Sequence, residues 1–572
     1  MKRAILKTGR LLAPTTLLMW LAGTSSAAVP GITGLTFSLT AQPAYLNQPD
    51  GEAVYSWGYG CLVAPSGFAP TLKNQNCPTM QVPGPTLIVT EGQSITVTLT
   101  NNLPAAAGNT SILFPGFTLT STCPTGQQGL LTCEAPPSGS VTYTFVASAP
   151  GTHAYYSGTQ GDLQIEMGLY GAVVVLPATI PANCNGGYHA LNLQAQASTS
   201  SAHAGVTEND FRLTNSTGGK GAAYDHPGSC YDREYLFQWA EMDTRIHQQA
   251  LAQVTATMAS GVCATASNPG CSLNVQTEPY HPAYFLINGR SMPDLMDPNF
   301  AGEYPHQPYN ANPHMHPGEL TLIRTIGQGR WQHPFHEHAN HVRILARDGN
   351  LVLSGSSANV TYTSGLTGDT GVAGRGLAGT LMFNTDTTPG ESFDGIFYFT
   401  GRGLNWDPYG HHPGDTADPL ASLSCTADVN GYNSIAPTAV NFMEWCQDHN
   451  KPVQVNPFGD VPAGGPVTLP DPNAFTNGAW YGGSPYLGPD ATLRGNAPAC
   501  VGSPYGIANP ANANCTNLNP ANLQLNPANE RGWAFMWHSH NEREITTNNV
   551  FPGGMLMMML VDSREFVIDE GL

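Results

Sequence analysis

Histidines alternate with other residues at two places in the chain. Residues 333–341 read HPFHEHANH, and residues 537–540 read WHSH. Side chains two residues apart on a strand project to the same face, so His336 with His338, and His538 with His540, could each offer two imidazoles. Neutral imidazole is a common ligand for copper, zinc, iron and nickel. The spacing therefore predicts that the two pairs converge on one metal site.

Other histidines are weaker candidates for ligands. A single pair at this spacing is more often a set of surface or hydrogen-bonded side chains, whereas two pairs inside strand-like segments favour ligation. A third pair, His314 and His316, precedes Pro317 in a loop-like segment. His411 and His412 lie in a Gly- and Pro-rich region where exposed histidines are ordinary. The prediction therefore rests on the first two pairs.

The elements that would position these pairs are β-strands. From Gly34 onward, short apolar or alternating runs are separated by turn residues, which is typical of β-sandwiches. The first set of runs ends near Leu176, and the second begins near Glu234. The runs that follow are 284–289, 320–324, 342–346, 395–399, 534–537 and 555–561. The sequence predicts an all-β protein with a first domain at 30–178, a linker or long loop at 179–229, and a second domain at 230–572.

Composition excludes several classes of protein. The chain has 572 residues, of which only 11% are charged, with 63 Gly and 47 Pro. Long amphipathic helices would lack charge for their solvent faces, so helical bundles and coiled coils are excluded. The formal net charge of -19 would repel a polyanion, so no nucleic-acid partner is expected.

The N-terminus has the three-part pattern of a secretory signal peptide. Four basic residues precede position 11, an apolar run extends from Leu11 to Gly23, and small residues lead to Ala27 and Ala28. The run is shorter than the roughly 20 residues that a membrane span needs. We expect residues 1–28 to be removed, leaving a protein that is not transmembrane and is secreted, periplasmic or at the cell surface.

Twelve cysteines follow that segment. In an oxidising compartment an even number favours disulfides. Sequence order offers the pairs Cys61–Cys77, Cys123–Cys133, Cys184–Cys230, Cys263–Cys271, Cys425–Cys446 and Cys500–Cys515, although order alone does not fix connectivity.

A region rich in Gly, Pro, Asn and Asp interrupts the second domain between about 401 and 530. A loop of this length without structure is unusual, so we expect an ordered insertion that disulfides hold together. It could serve as a lid or as the contact surface for a protein partner.

The histidine motifs resemble those of the multicopper oxidase family, which is built from cupredoxin domains. Residues 333–338 match the family's HPxHxHG motif, with Ala339 in place of Gly, and residues 538–540 with 554–555 match part of its HCHxxxHxxxGM motif. Residues 150–157 and 168–175 look like its GTxWYHSH and GLYGxLIV segments. The resemblance implies two cupredoxin-like Greek-key β-sandwich domains and copper as the cofactor.

The chain departs from the family at the blue type 1 copper. The cysteine that supplies the family's copper thiolate is replaced by Ser539, and the next expected histidine is replaced by Glu544. A hydroxyl cannot supply that soft ligand. The resemblance leaves His333, and Met555 beside it, as the remaining type 1 positions.

The first domain departs as well. Its two HxH pairs would fall at Leu113 with Pro115 and at Tyr156 with Gly158. Of the eight histidines that hold three copper ions in the family, four positions match. The metal ligands predicted here are His336, His338, His538, His540 and His333, with fewer than four copper ions.

Three functions are compatible with these residues. The first is an exported copper-binding protein with a reduced histidine site and possible oxidoreductase activity. The second is a catalytically inactive cupredoxin-fold protein that has a binding or structural role at the cell surface. The third, a zinc hydrolase, fits the ligand types but has no adjacent motif to support it.

Overall fold

The computed structural model describes residues 29–70, 72–181, 184, 221–265, 267–354, 376–399, 424–429, 431–433, 444–449, 483–486, 532–562 and 568. The predicted signal peptide, most of the predicted linker and most of the predicted insertion lie outside these residues. No helix among the described residues is long and apolar enough to cross a membrane.

The first half of the chain forms nine strands. They are β1 (Gly31–Thr33), β2 (Thr36–Asn47), β3 (Ala53–Cys61), β4 (Gly67–Ala69), β5 (Leu87–Thr90), β6 (Ser94–Asn101), β7 (Ser140–Val146), β8 (Gly151–Tyr156) and β9 (Tyr170–Leu176). A short helix, α1 (Gly161–Gln164), precedes β9. One sheet has the order β4-β1-β5-β9-β8 and the other β3-β2-β6-β7. Alternating apolar residues from both sheets, such as Leu39, Val97 and Val173, bury one shared core.

The second half forms thirteen described strands. They are β10 (Arg233–Met242), β11 (Tyr284–Ile287), β12 (His314–Met315), β13 (Leu320–Gly327), β14 (His333–Glu337), β15 (Val342–Arg347), β16 (Asn350–Leu351), β17 (Leu381–Met382), β18 (Asn384–Thr387), β19 (Ser392–Tyr398), β20 (Gly483–Tyr486), β21 (Gly532–Ser539) and β22 (Leu556–Asp562). One sheet follows β11-β10-β13-β19-β15-β16, with β17 beside β15. The other follows β12-β22-β21-β14-β18, with β20 beside β21.

The core of this second sandwich is aromatic. Trp239, Phe335, Phe397 and Trp537 are all buried, and the ring centroids of Phe335 and Trp239 are 4.7 Å apart. Because these rings come from both sheets, they fix which face of each strand points inward. The prediction of an all-β protein built from two β-sandwiches is confirmed.

One longer helix, α2 (Thr244–Ala259), was not predicted. The Asp243 side chain caps it by accepting a hydrogen bond from the Arg245 backbone N–H. Its buried residues Ile246, Ala250 and Val254 are four apart and join the core of the first sandwich. Helix α2 follows β10, the first strand of the second sandwich, but it covers the core of the first sandwich.

The two sandwiches pack sheet against sheet. Ala172 and Val174 of β9 lie against Leu236 of β10 and Ile326 of β13. Strand β9 thus packs against the sheet that contains β10 and β13. The other sheet, which contains β14 and β21, turns its outer face away from β9.

Five disulfides agree with the pairs offered by sequence order. They are Cys61–Cys77, Cys123–Cys133, Cys184–Cys230, Cys263–Cys271 and Cys425–Cys446. Cys500 and Cys515 lie outside the described residues.

Candidate metal centre

The two histidine pairs lie on neighbouring antiparallel strands. The register of β14 and β21 places His336 directly opposite His538. Phe335 and Trp537 turn into the aromatic core, so His336, His338 and His538 project from the opposite face of the sheet. The alternation of strand side chains thus brings the histidines to one outer face.

The four rings are close to one another. The His336 centroid lies 4.7 Å from that of His338, 5.4 Å from that of His538 and 4.9 Å from that of His540. The Nε2 atoms of His338 and His538 are 3.2 Å apart. Two ligands bound at 2.0–2.1 Å in tetrahedral geometry would be about 3.3 Å apart. The ligand atoms of His336, His338 and His538 all lie within 4.8 Å of one another, so these three fit donors to a single ion, and the His540 ring lies beside them.

Hydrogen bonds fix the ring tautomers of two of these histidines. The Nδ1 atoms of His336 and His538 lie 2.6 and 2.7 Å from the backbone carbonyls of Phe383 and Ser539. A carbonyl only accepts, so Nδ1 carries the proton and the neutral ring keeps its lone pair on Nε2. Both Nε2 atoms are thereby prepared as ligands.

The electrostatics also favour neutral rings. Burial lowers the pKa of His336, and repulsion from His538, His540 and His341 lowers it further. Burial likewise lowers the pKa of His538, with His540 adding to the effect. Since a metal ion competes with protons for imidazole, these shifts favour metal binding near neutral pH.

His333 does not join the four rings. It is fully buried on the inner side of β14, where Nε2 lies 2.8 Å from Glu241 and Nδ1 lies 2.8 Å from Glu544. Both carboxylates accept, so a ring that donates from both nitrogens is an imidazolium with no lone pair for a metal. His333 therefore lies apart from the other four predicted ligands, with both ring nitrogens held by carboxylates.

The charge of His333 is held by its partners. Burial acts against the charged form, but the hydrogen bonds to Glu241 and Glu544 outweigh it and raise the pKa to about 9. Ser539 donates to Glu544, and the backbone N–H groups of Arg330 and Trp331 donate to Glu241. The pocket that would hold a blue copper is thus filled by a salt-bridged imidazolium.

The same buried network continues into the first sandwich. The Tyr280 hydroxyl lies 2.6 Å from Glu166 and 3.2 Å from Glu241. His247 of α2 follows, with Nε2 3.6 Å from Glu166. Glu241 and Glu166 were not identified as functional residues from the sequence. Glu241 lies inside strand β10, which is buried along its length, and a carboxylate at such a position was a signal for a buried charge pair.

The other histidine candidates lie elsewhere. His314 and His316 bond to the side chain and backbone of Asp562. Asp562 is six residues along β22 from Leu556, the partner of His538, which is about 20 Å at strand rise. The His153 ring lies 4.6 Å from that of Phe117 in the first sandwich, in a tilted arrangement.

A second group of metal-binding side chains does not make a site. Glu444 and His449 approach Cys425, but this cysteine is in a disulfide with Cys446 and has no thiolate to offer. His411 and His412 lie outside the described residues.

The first-sandwich positions that resemble ligand sites hold packing residues. The Leu113 N–H donates to the Tyr156 carbonyl at 2.7 Å, so the two segments do meet. A Cβ at Gly158 would lie 2.8 Å from the Leu113 side chain. Leucine and glycine side chains offer no donor atom, so the segments meet without forming a ligand set.

Two β-sandwiches, with paired histidines on adjacent strands of the second, resemble the arrangement in copper proteins of the cupredoxin class. Residues 74–179 match the family model described as multicopper oxidase. This match agrees with the resemblance of the chain to the multicopper oxidase family over those residues. Copper is the cofactor that the family implies.

Two curated proteins share short segments with the chain. An L-ascorbate oxidase from Brassica rapa subsp. pekinensis is 38% identical over 96 residues, which cover 17% of this chain and 16% of that protein. Laccase-3 from Botryotinia fuckeliana is 37% identical over 102 residues, or 17% of this chain and 21% of that protein. The chain therefore matches about a sixth to a fifth of the length of these relatives.

Solved structures with a similar course of the chain include a blue copper oxidase from Nitrosomonas europaea. It is 13% identical with a TM-score of 0.40, covering 92% of this chain and 85% of that one. The multicopper oxidase mgLAC is 14% identical with a TM-score of 0.40, covering 92% and 86%.

Proposed function

We propose that this protein is an exported copper-binding member of the multicopper oxidase family. Its copper is held by His336, His338, His538 and His540, and its former blue-copper pocket binds no metal. The observation that carries the proposal is the pairing of His336 with His538, with Nε2 of each ring left as an acceptor. Copper there would supply one-electron redox chemistry.

The chain's own residues prepare this site. Phe383 and Ser539 orient two rings through their carbonyls, and the core side chains Phe335 and Trp537 fix the strands that carry all four. Four imidazoles without a thiolate suit copper, which among divalent first-row ions binds nitrogen sites most strongly. We infer one copper ion per chain, or fewer than four in any case.

Metal analysis of the purified protein tests this proposal. Loading with Cu(II) should give about one ion per chain and an electron paramagnetic resonance spectrum with coupling to nitrogen. The variant His336→Ala/His538→Ala should lose that ion, while His281→Ala, which changes an exposed histidine, should keep it. Stoichiometric Cu(II) in the double variant would overturn the assignment.

A second candidate is a binding or structural protein without catalysis at the cell surface. The observation that favours it is the pair of carboxylates on His333, because they engage both ring nitrogens and leave no lone pair for the copper that receives electrons in the family. The two candidates differ in turnover, which oxygen uptake measures.

A further inference from the structure

Two methionines face each other beside the histidine cluster. Met536 of β21 is the register partner of Met558 of β22. Their neighbours Phe535, Trp537, Met557 and Met559 all turn into the core. By strand alternation, Met536 and Met558 project from the outer face that also carries His538.

The backbone bonding shows that this pair is in the close arrangement. The Met536 carbonyl accepts a hydrogen bond from the His338 N–H at 3.3 Å, on the β14 side. The Met558 N–H points the other way and donates to the Met296 sulfur at 3.4 Å. The two residues therefore do not bond to each other, and such non-hydrogen-bonded pairs bring Cα atoms to about 4.5 Å and side chains closest together.

The pair adjoins the cluster and can be reached from solvent. Met536 is 38% exposed, and Met558 is partly buried. His538 follows Met536 by two residues on the same face, which is about 7 Å along the strand. A flexible thioether side chain can span much of that distance.

We propose that Met536 and Met558 form a thioether site for a cuprous ion next to the histidine cluster. Thioether sulfur is a soft ligand that selects Cu(I), whereas imidazole also accepts Cu(II). This site rests on the proposed copper function and extends it by naming the oxidation state that is bound. The ion binds as Cu(I) and is neither oxidised nor reduced on binding.

Anaerobic Cu(I) titration against a chromophoric chelator such as bicinchoninate tests the site. In the background His336→Ala/His538→Ala, the protein should still bind one Cu(I). Adding Met536→Leu/Met558→Leu, a volume-conserving change that removes both sulfurs, should weaken that binding at least tenfold. The matched control Met557→Leu/Met559→Leu removes two core-facing sulfurs from β22 and should leave Cu(I) binding unchanged.

Two further measurements separate the possible outcomes. Met536→Leu/Met558→Leu with all histidines intact should bind Cu(II) as the wild type does, and X-ray absorption of the Cu(I) form should lose its sulfur scattering. Unchanged Cu(I) affinity and sulfur scattering would mean that the pair only packs, which overturns this inference. If the wild type does not bind Cu(II), the histidine site is refuted, and the Cu(I) measurements still test the thioether site separately.

Discussion

At the scale of single residues, the change from thiolate to hydroxyl at position 539 is tied to the charge at His333. Ser539 donates to the same Glu544 that accepts from His333 Nδ1. A cysteine alone would therefore face a carboxylate-bound imidazolium rather than a free nitrogen. The loss of the blue site thus involves at least two coupled positions.

The colour of the copper-loaded protein tests this coupling. We expect no intense blue band in the wild type, because no thiolate reaches the pocket, and none in Ser539→Cys, because Glu544 still holds His333 Nδ1. Ser539→Cys/Glu544→His should show the band, since it supplies a thiolate and frees that nitrogen. Visible absorption after copper loading decides, and a blue Ser539→Cys single variant would contradict the role of Glu544.

The buried imidazolium also predicts a pH dependence of stability. The pKa of His333 is raised to about 9 in the folded protein, against about 6.5 when unfolded. The stabilisation is therefore complete below pH 6.5 and is lost as the pH rises through 9, by up to about 3 kcal/mol.

Thermal unfolding between pH 6 and pH 10 measures this loss. Glu544→Gln removes one of the two carboxylates that raise the pKa of His333, so its alkaline loss of stability should be smaller and should level off at a lower pH. Other alkaline groups are common to both proteins and cancel in the comparison. Identical pH profiles would show that His333 does not carry the charge.

At the scale of elements, strand alternation separates two sites on the same two strands. His336 and His538 point outward, whereas His333 and Ser539 point inward, because their positions differ by odd numbers of residues. The HxH spacing was therefore enough to predict from the sequence that the pairs share a face. The buried ion pair of His333 could not be predicted from the sequence, since it depends on Glu241 from a strand in the opposite sheet.

Trp537 links the core to the metal centre. Its buried indole N–H donates to the His338 carbonyl at 3.1 Å. Trp537→Phe keeps an aromatic ring in the core but removes this donor, and we expect Cu(II) affinity to fall about tenfold. Isothermal titration with Cu(II) measures the change.

The control for this variant is Trp239→Phe. Trp239 is equally buried in the same core, and its indole nitrogen has no hydrogen-bond partner among the residues that the structure describes. It should lose similar packing energy without affecting copper affinity. Equal losses in both variants would attribute the effect to the cavity rather than to the hydrogen bond.

At the scale of the whole molecule, the two sandwiches contribute unequally to metal chemistry. The second carries four neighbouring imidazole rings, and the first carries Leu113 and Gly158 where the family's motifs have histidines. The β-sandwich pattern and five short disulfide loops could be predicted from local sequence, because both depend on nearby residues. Helix α2 could not be, since its apolar face is completed only by the other sandwich.

This asymmetry predicts the absence of one reaction. The copper-loaded protein should not sustain four-electron reduction of oxygen to water with phenolic, Mn(II) or Cu(I) donors, because half of the ligands of the three-copper cluster are missing. An oxygen electrode measures this directly. Sustained uptake that disappears in His338→Ala would show that other residues complete a cluster.

The Cys184–Cys230 disulfide gives the connection between the two sandwiches a second covalent route. Its cysteines lie after the last strand of the first sandwich and before the first strand of the second, 46 residues apart. A protease that cuts once anywhere between them would leave the two halves joined. Such a nicked protein would migrate as one band without reductant and as two with it, so its integrity in a protease-rich environment would depend on a single sulfur–sulfur bond.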